Sequence, residues 1–97
     1  DEAEQVGGVN VYPERVREAL LAHAWVKECA VRVTSDEAAD RRLKAFVVLR
    51  GRRDEDAAMA ALSRHCAQSL RAPERPASFT FGETLPTNPM GKLADWA

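Results

Sequence analysis

The segment Leu43–Leu49, Leu-Lys-Ala-Phe-Val-Val-Leu, constrains this fold more than any other part of the chain. β-branched and aromatic side chains suit an extended, pleated backbone. Gly51, followed by Arg52 and Arg53, closes the run as a turn. Its uninterrupted apolar stretch, Ala45 to Leu49, and the chain's longest, Ala57 to Leu62, both fall far short of the roughly 20 residues that a membrane-spanning helix needs. Leu43–Leu49 is therefore predicted to be a central strand, in a chain with no membrane span.

The neighbouring segments fall into place around that strand. From Val26 to Thr34, Cys29, Val31 and Val33 alternate with Glu28, Ala30 and Arg32, the pattern of a half-buried strand, and polar Ser35 to Arg42 reads as its loop. Upstream, Gly7-Gly8 between short apolar arms (Glu4 to Val11) predicts a two-stranded hairpin, since a Gly pair supplies positive φ angles. Pro13 suits a first helical position, and Val16, Ala19, Leu20 and His23 share one helix face, so a helix is predicted from Pro13 to about His23. Asp54 can cap a second helix with an apolar stripe of Ala58, Met59, Leu62, Cys66 and Leu70, ending before Pro73. Ser78 to Phe81 reads as a short strand, and the prolines and glycine of Leu85–Lys92 forbid a long regular element there. The order predicts a small α+β fold: a two-stranded hairpin, then a three-stranded sheet with its helices on one face.

At 97 residues the chain is one domain. A formal net charge of -1 provides no global basic field for nucleic acid, and the apolar fraction of 45% is too high for a disordered tail. Cys29 and Cys66 lack metal or redox spacing and read as reduced core residues of a cytosolic protein. No Cys-x-x-Cys, His-x-x-x-His or Asp-x-Asp cluster points to a metal, and His23 and His65 read as packing or exposed residues. Neither Gly7-Gly8 nor Gly91-Lys92 completes a phosphate-cradling loop. Lys92, at the tip of a Pro-bounded, Gly-flexed loop, is instead a mobile cation able to enter a neighbouring site.

Several motifs, in order and spacing over almost the whole chain, carry a family resemblance. They are Val6-Gly7-Gly8-Val9-Asn10-Val11-Tyr12-Pro13, Val26–Val31, Leu43–Val48, Glu74-Arg75-Pro76, Phe79 and Leu85-Pro86-Thr87-Asn88-Pro89-Met90-Gly91-Lys92. The chain resembles the small C-terminal domain of AMP-forming acyl- and aryl-CoA synthetases, within the adenylate-forming superfamily that includes luciferases and peptide-synthetase adenylation domains.

The resemblance implies that residues 1–97 form the C-terminal domain of a larger ligase, cut at a hinge that Asp1 matches, while the Ala and Arg usage points to a bacterial source. It implies a carboxylic acid, ATP and CoA as substrates, with Mg²⁺ bound mainly by a large N-terminal domain of the same polypeptide. Lys92 matches the lysine that bridges carboxylate and α-phosphate during adenylation, and the same exposed cation invites regulation by acetylation. Gly7 and Gly8 match the loop lining the pantetheine channel, and Asn10 lies near a position some relatives aim at the active site. Gln5 stands where many relatives carry lysine, Arg15 and Arg17 where acidic residues are common, Asp40-Arg41 where Gly-Glu is usual, and Thr87 where Arg is frequent. Two alternatives stay open: an adenylation domain loading a carrier-protein phosphopantetheine, and a free-standing protein-interaction module.

Overall fold

Two glycines in left-handed backbone begin the architecture. In the computed structural model, which describes residues 2–35 and 40–97, Gly7 and Gly8 have φ of 57° and 77°. They turn strand β1 (Glu4–Val6) back onto antiparallel β2 (Val9–Val11). Positive φ at both central residues matches the right-handed twist of a two-residue hairpin. Helix α1 follows (Pro13–Leu21), its first turn begun by Pro13. It ends two residues before the predicted His23, because the His23 N–H bonds the Leu20 carbonyl and the His23 carbonyl takes the Val26 N–H, tightening the chain into a turn.

The main sheet has the order β3 (Val26–Ser35), β4 (Arg41–Leu49), β5 (Ser78–Phe81), so Leu43–Leu49 is the central strand as predicted. β3 pairs with β4 antiparallel, and β4 with β5 parallel. The predicted loop from Ser35 to Arg42 is shorter at both ends, since Ser35 pairs with Arg41 and Thr34 with Arg42; its middle, residues 36–39, lies outside the described residues. Between β4 and β5 run helix α2 (Glu55–Ser69), capped by Asp54 Oδ2 accepting from the Ala57 N–H at 2.9 Å, and a 3₁₀ turn (Ala72–Glu74).

Register sorts β4 into two apolar faces. Leu43, Ala45 and Val47 sit across from Val33, Val31 and Cys29 on one face. On that face Leu20 of α1 and Leu62 and Cys66 of α2 close the core, joined by Phe79 and Phe81 of β5. The hairpin's Val6 and Val11 pack with Val16 and Leu43 at the same face. Phe46 and Val48 point the other way with Ala30, and there Leu85, Leu93 and Trp96 of the C-terminal segment cover them. Of the predicted α2 stripe, Ala58, Leu62 and Cys66 are buried and Leu70 packs at the margin, but Met59 is exposed. One residue past Ala58, its 100° rotation carries it off the buried face.

Cys29 and Cys66 are free and buried in the core, as predicted. Burial pushes both thiols up to about 11.

Candidate functional site

Lys92 stands on a loop whose backbone is tied at several points. Thr87 and Leu93 form an isolated antiparallel bridge, and the Ala94 N–H donates to the Pro86 carbonyl at 2.9 Å. Inside that closure Asn88 organises the turn: its Oδ1 accepts from the Met90 N–H at 2.9 Å and the Lys92 N–H at 3.1 Å, while its own N–H donates to the Lys92 carbonyl at 2.8 Å. Gly91, at φ 79°, takes the left-handed step that permits this geometry. The Lys92 side chain is exposed, and its ammonium has no hydrogen-bond or ion-pair partner among the described residues. The loop is therefore ordered at its base while its cation remains free to engage an anion. Beside it Met90 is 80% exposed.

The base of the loop is anchored on the sheet by a cluster that sequence reasoning missed. Lys44, in the middle of β4, is buried at 7% exposure. Its ammonium donates to the Trp96 carbonyl at 2.5 Å and pairs with Asp95 Oδ1 at 2.8 Å. Asp95's carboxyl is held below the usual carboxylate range by the Lys44 ammonium first and the Trp96 backbone N–H second. Alternation puts Lys44 on the face of Phe46 and Val48 but also beside Arg42 and opposite Arg32, so the sequence pattern reads this end of the face as a charged, solvent-facing one. A second missed residue is Glu74, also buried. Burial raises its pKa, but the Arg71 N–H, the Arg71 guanidinium and the charge of Arg15 outweigh this and hold it below its ordinary 4.5.

Gly7 and Gly8 are exposed at the hairpin tip, with nothing within 4 Å of a Cβ built on either one. Beside them a cleft of about 440 Å³ is lined by Val6, Gly7, Arg41, Arg42 and Pro73, among others. Asn10 faces solvent on β2, where its Oδ1 accepts from Gln5 Nε2 across the hairpin. The other unusual positions are also engaged. Arg41 pairs with Glu4 at 2.7 Å, and Arg17 Nε donates to the Cys29 carbonyl at 2.9 Å, tying α1 to β3. Asp1 lies outside the described residues.

The two glycines and Lys92 are not brought together. The hairpin packs on the helix-covered face through Leu43, whereas Leu93, next to Lys92, packs on the opposite face with Phe46. His23 and His65 pack edge to face at 5.3 Å: His65 Nε2 lies 2.7 Å from the Ala19 carbonyl, and His23 Nδ1 accepts from the Trp25 N–H at 3.1 Å. These are packing roles, as predicted. Among the described residues no group of three His, Cys, Asp or Glu side chains could hold a metal, and no helix is long and apolar enough to cross a membrane.

A family model for the AMP-binding enzyme C-terminal domain matches residues 15–92, from within α1 through the end of the ordered Leu85–Lys92 loop. The chain belongs to that family. As an AMP-binding enzyme C-terminal domain, it is 42% identical over 96 residues to a 4-coumarate–CoA ligase of Cereibacter sphaeroides, covering 99% of this domain and 22% of that ligase. To a 4-coumarate–CoA ligase of Halorhodospira halophila it is 43% identical over 94 residues, covering 96% and 24% respectively. The crystal structure of the anthranilate CoA ligase AuaEII with anthranoyl-AMP matches the domain with a TM-score of 0.81 and 32% identity, over 96% of this domain and 18% of that chain. The domain thus spans less than a quarter of the length of the curated ligases it matches.

Proposed function

We propose that this domain is the mobile cap of an AMP-forming CoA ligase, and that Lys92 serves adenylation of a carboxylic acid by ATP. One observation carries the reading: Lys92 is a charged, unpartnered side chain on a loop whose backbone is fixed by Asn88. In adenylation a carboxylate oxygen attacks the α-phosphorus and pyrophosphate leaves. Two anions must approach each other, and an ammonium between them stabilises the charge that develops. A cation already neutralised by a neighbouring carboxylate would serve this poorly; a free one on an ordered base suits it.

The second half-reaction joins the thiol of CoA to the acyl carbonyl and releases AMP. Gly7 and Gly8 suit the approach of a pantetheine arm, because no side chain intervenes and the space beyond each Cβ position is open. The adjoining cleft is lined by Arg42, by Asp40 and by an Arg41 already paired with Glu4. Since hairpin and Lys92 loop lie on opposite faces of one sheet, a rigid domain presents only one of them to a single reaction centre at a time. Rotation of the domain between the half-reactions resolves this, about a hinge at Asp1. ATP, any accompanying Mg²⁺ and the acyl group would be held mainly by the N-terminal domain. The relatives' names favour CoA over a carrier-protein thiol as acceptor.

The test uses the full-length protein with Lys92→Ala. Acid-dependent pyrophosphate exchange should fall by about 10²-fold or more, while thioester formation from supplied acyl-adenylate and CoA continues. Equal loss in both steps would exclude the adenylation role.

A further inference from the structure

The central strand buries a charged residue, Lys44, two places before Phe46 on the same face and directly opposite Arg32, and that residue grips the chain three and four places after Lys92. We propose that Lys44 is a positioning residue for adenylation: with Arg32 it clasps Leu93–Trp96 to the sheet and so fixes the base from which Lys92 reaches. This rests on the reading of Lys92 given above.

The clasp is built from two strands. Lys44 and Arg32 are register partners on β4 and β3, their side chains on the face that carries Phe46 and Val48. Like charges directly opposed across strands repel, and a buried ammonium without partners is strongly disfavoured. The C-terminal segment relieves both problems. Lys44 Nζ donates to the Trp96 carbonyl and pairs with Asp95, while Arg32 Nη2 donates to the Leu93 carbonyl at 3.1 Å and its Nη1 lies 3.6 Å from Asp95 Oδ1. One carboxylate therefore lies between two cations. The Trp96 ring completes the closure: Lys44 Nζ is 4.7 Å from its centroid, and its plane meets Phe46 edge to face at 5.8 Å.

These contacts fall on the residues one, three and four places beyond Lys92, while Asn88 and the Thr87–Leu93 bridge hold the residues before it. Lys92 is thus fixed from both sides, and Lys44, whose ammonium is engaged by the Trp96 carbonyl and Asp95, acts through that backbone. Misplacement of a reacting group by about 1 Å can reduce a rate about 10²-fold. Releasing the clasp should therefore slow the step that uses Lys92 and leave the step that uses the opposite face.

The experiment compares Lys44→Met, Asp95→Asn and Lys92→Ala in the full-length ligase. Both half-reactions are measured, with kcat and KM for ATP separated. Asp95 is exposed, so Asp95→Asn tests the clasp even if Lys44→Met fails to fold. The expected result is a roughly 10- to 100-fold fall in the adenylation kcat, with KM for ATP and thioester formation from supplied adenylate within about 2-fold of the unaltered enzyme. Equal falls in both half-reactions would assign the clasp to stability alone and overturn the proposal. Full adenylation in Lys44→Met and Asp95→Asn beside an inactive Lys92→Ala would overturn it while sparing the role of Lys92. An active Lys92→Ala would remove that role and the proposal with it.

Discussion

Gly82 lies where the chain leaves β5, and replacing it with alanine tests how tightly the second sheet face is packed. A Cβ built on Gly82 falls 2.6 Å from Phe46 Cζ and 3.1 Å from Cε1. Carbon atoms rest at about 3.5–4.0 Å, so the ring must withdraw by about 1 Å. It has little room, being packed among Ala30, Val48, Leu85 and Leu93 and set edge-on against Trp96. Gly82 is outside the left-handed region, so alanine adds no backbone strain and the effect is steric. Overpacking of this kind costs about 1–3 kcal/mol. For a domain near 100 residues each kcal/mol lowers Tm by about 4–8 °C, giving a fall of about 5–20 °C in thermal unfolding followed by circular dichroism. Phe46→Leu should weaken the protein alone yet do less harm beside Gly82→Ala, a coupling of about 1 kcal/mol in a double-mutant cycle. A Gly82→Ala Tm within about 2 °C of the unaltered domain would refute the reasoning, because it would mean that the Phe46 ring moves freely.

Gly8→Val places a β-branched residue at φ 77° and should destabilise the hairpin by about 1–3 kcal/mol; in the full-length enzyme thioester formation should fall more than adenylation, as separate half-reaction assays would reveal. Stability should decline in acid in two stages, measurable as denaturation midpoints from pH 8 to pH 3. His23 is held below its ordinary 6.5 by burial first, then by His65 and Arg53. The unfolded chain therefore takes up that proton first, and stability drops as pH falls below about 6.5. Glu74 and Asp95, held below 4.5 and 3.8, give a second loss below those values, as their charged forms are the ones favoured by folding. At pH 8 Cys29 and Cys66, with thiols raised to about 11, should resist alkylation in the folded domain and react after denaturation, as mass spectrometry would show.

Much of the fold was legible because it rests on local patterns. The 3.6-residue period marked Val16 and Leu20, the two-residue period marked Cys29, Val31 and Val33, and the capping chemistry of Asp54 marked the start of α2. Boundaries were less legible. α1 ends at Leu21 because His23 is drawn into a turn by hydrogen bonds with Leu20 and Val26, a competition that the spacing of apolar residues does not register. Met59 illustrates a related limit: it belongs to the apolar inventory of α2 but not to its buried arc. For the candidate site, motif likeness singled out Gly7, Gly8, Asn10 and Lys92, yet none of the buried charges that support the surrounding backbone.

The sequence by itself determined the α+β order of elements, the Gly7-Gly8 turn, the central place of Leu43–Leu49 and the flexed loop bearing Lys92, since each follows from the properties of residues close together in the chain. Only tertiary structure decided that the hairpin and the Lys92 loop occupy opposite sheet faces, and that Lys44 is buried against residues 95 and 96. The physical reason is long-range pairing. The partners of Lys44 lie 51 and 52 positions away, and a lysine reads as a surface residue until a carboxylate and a carbonyl from a distant segment close over its ammonium.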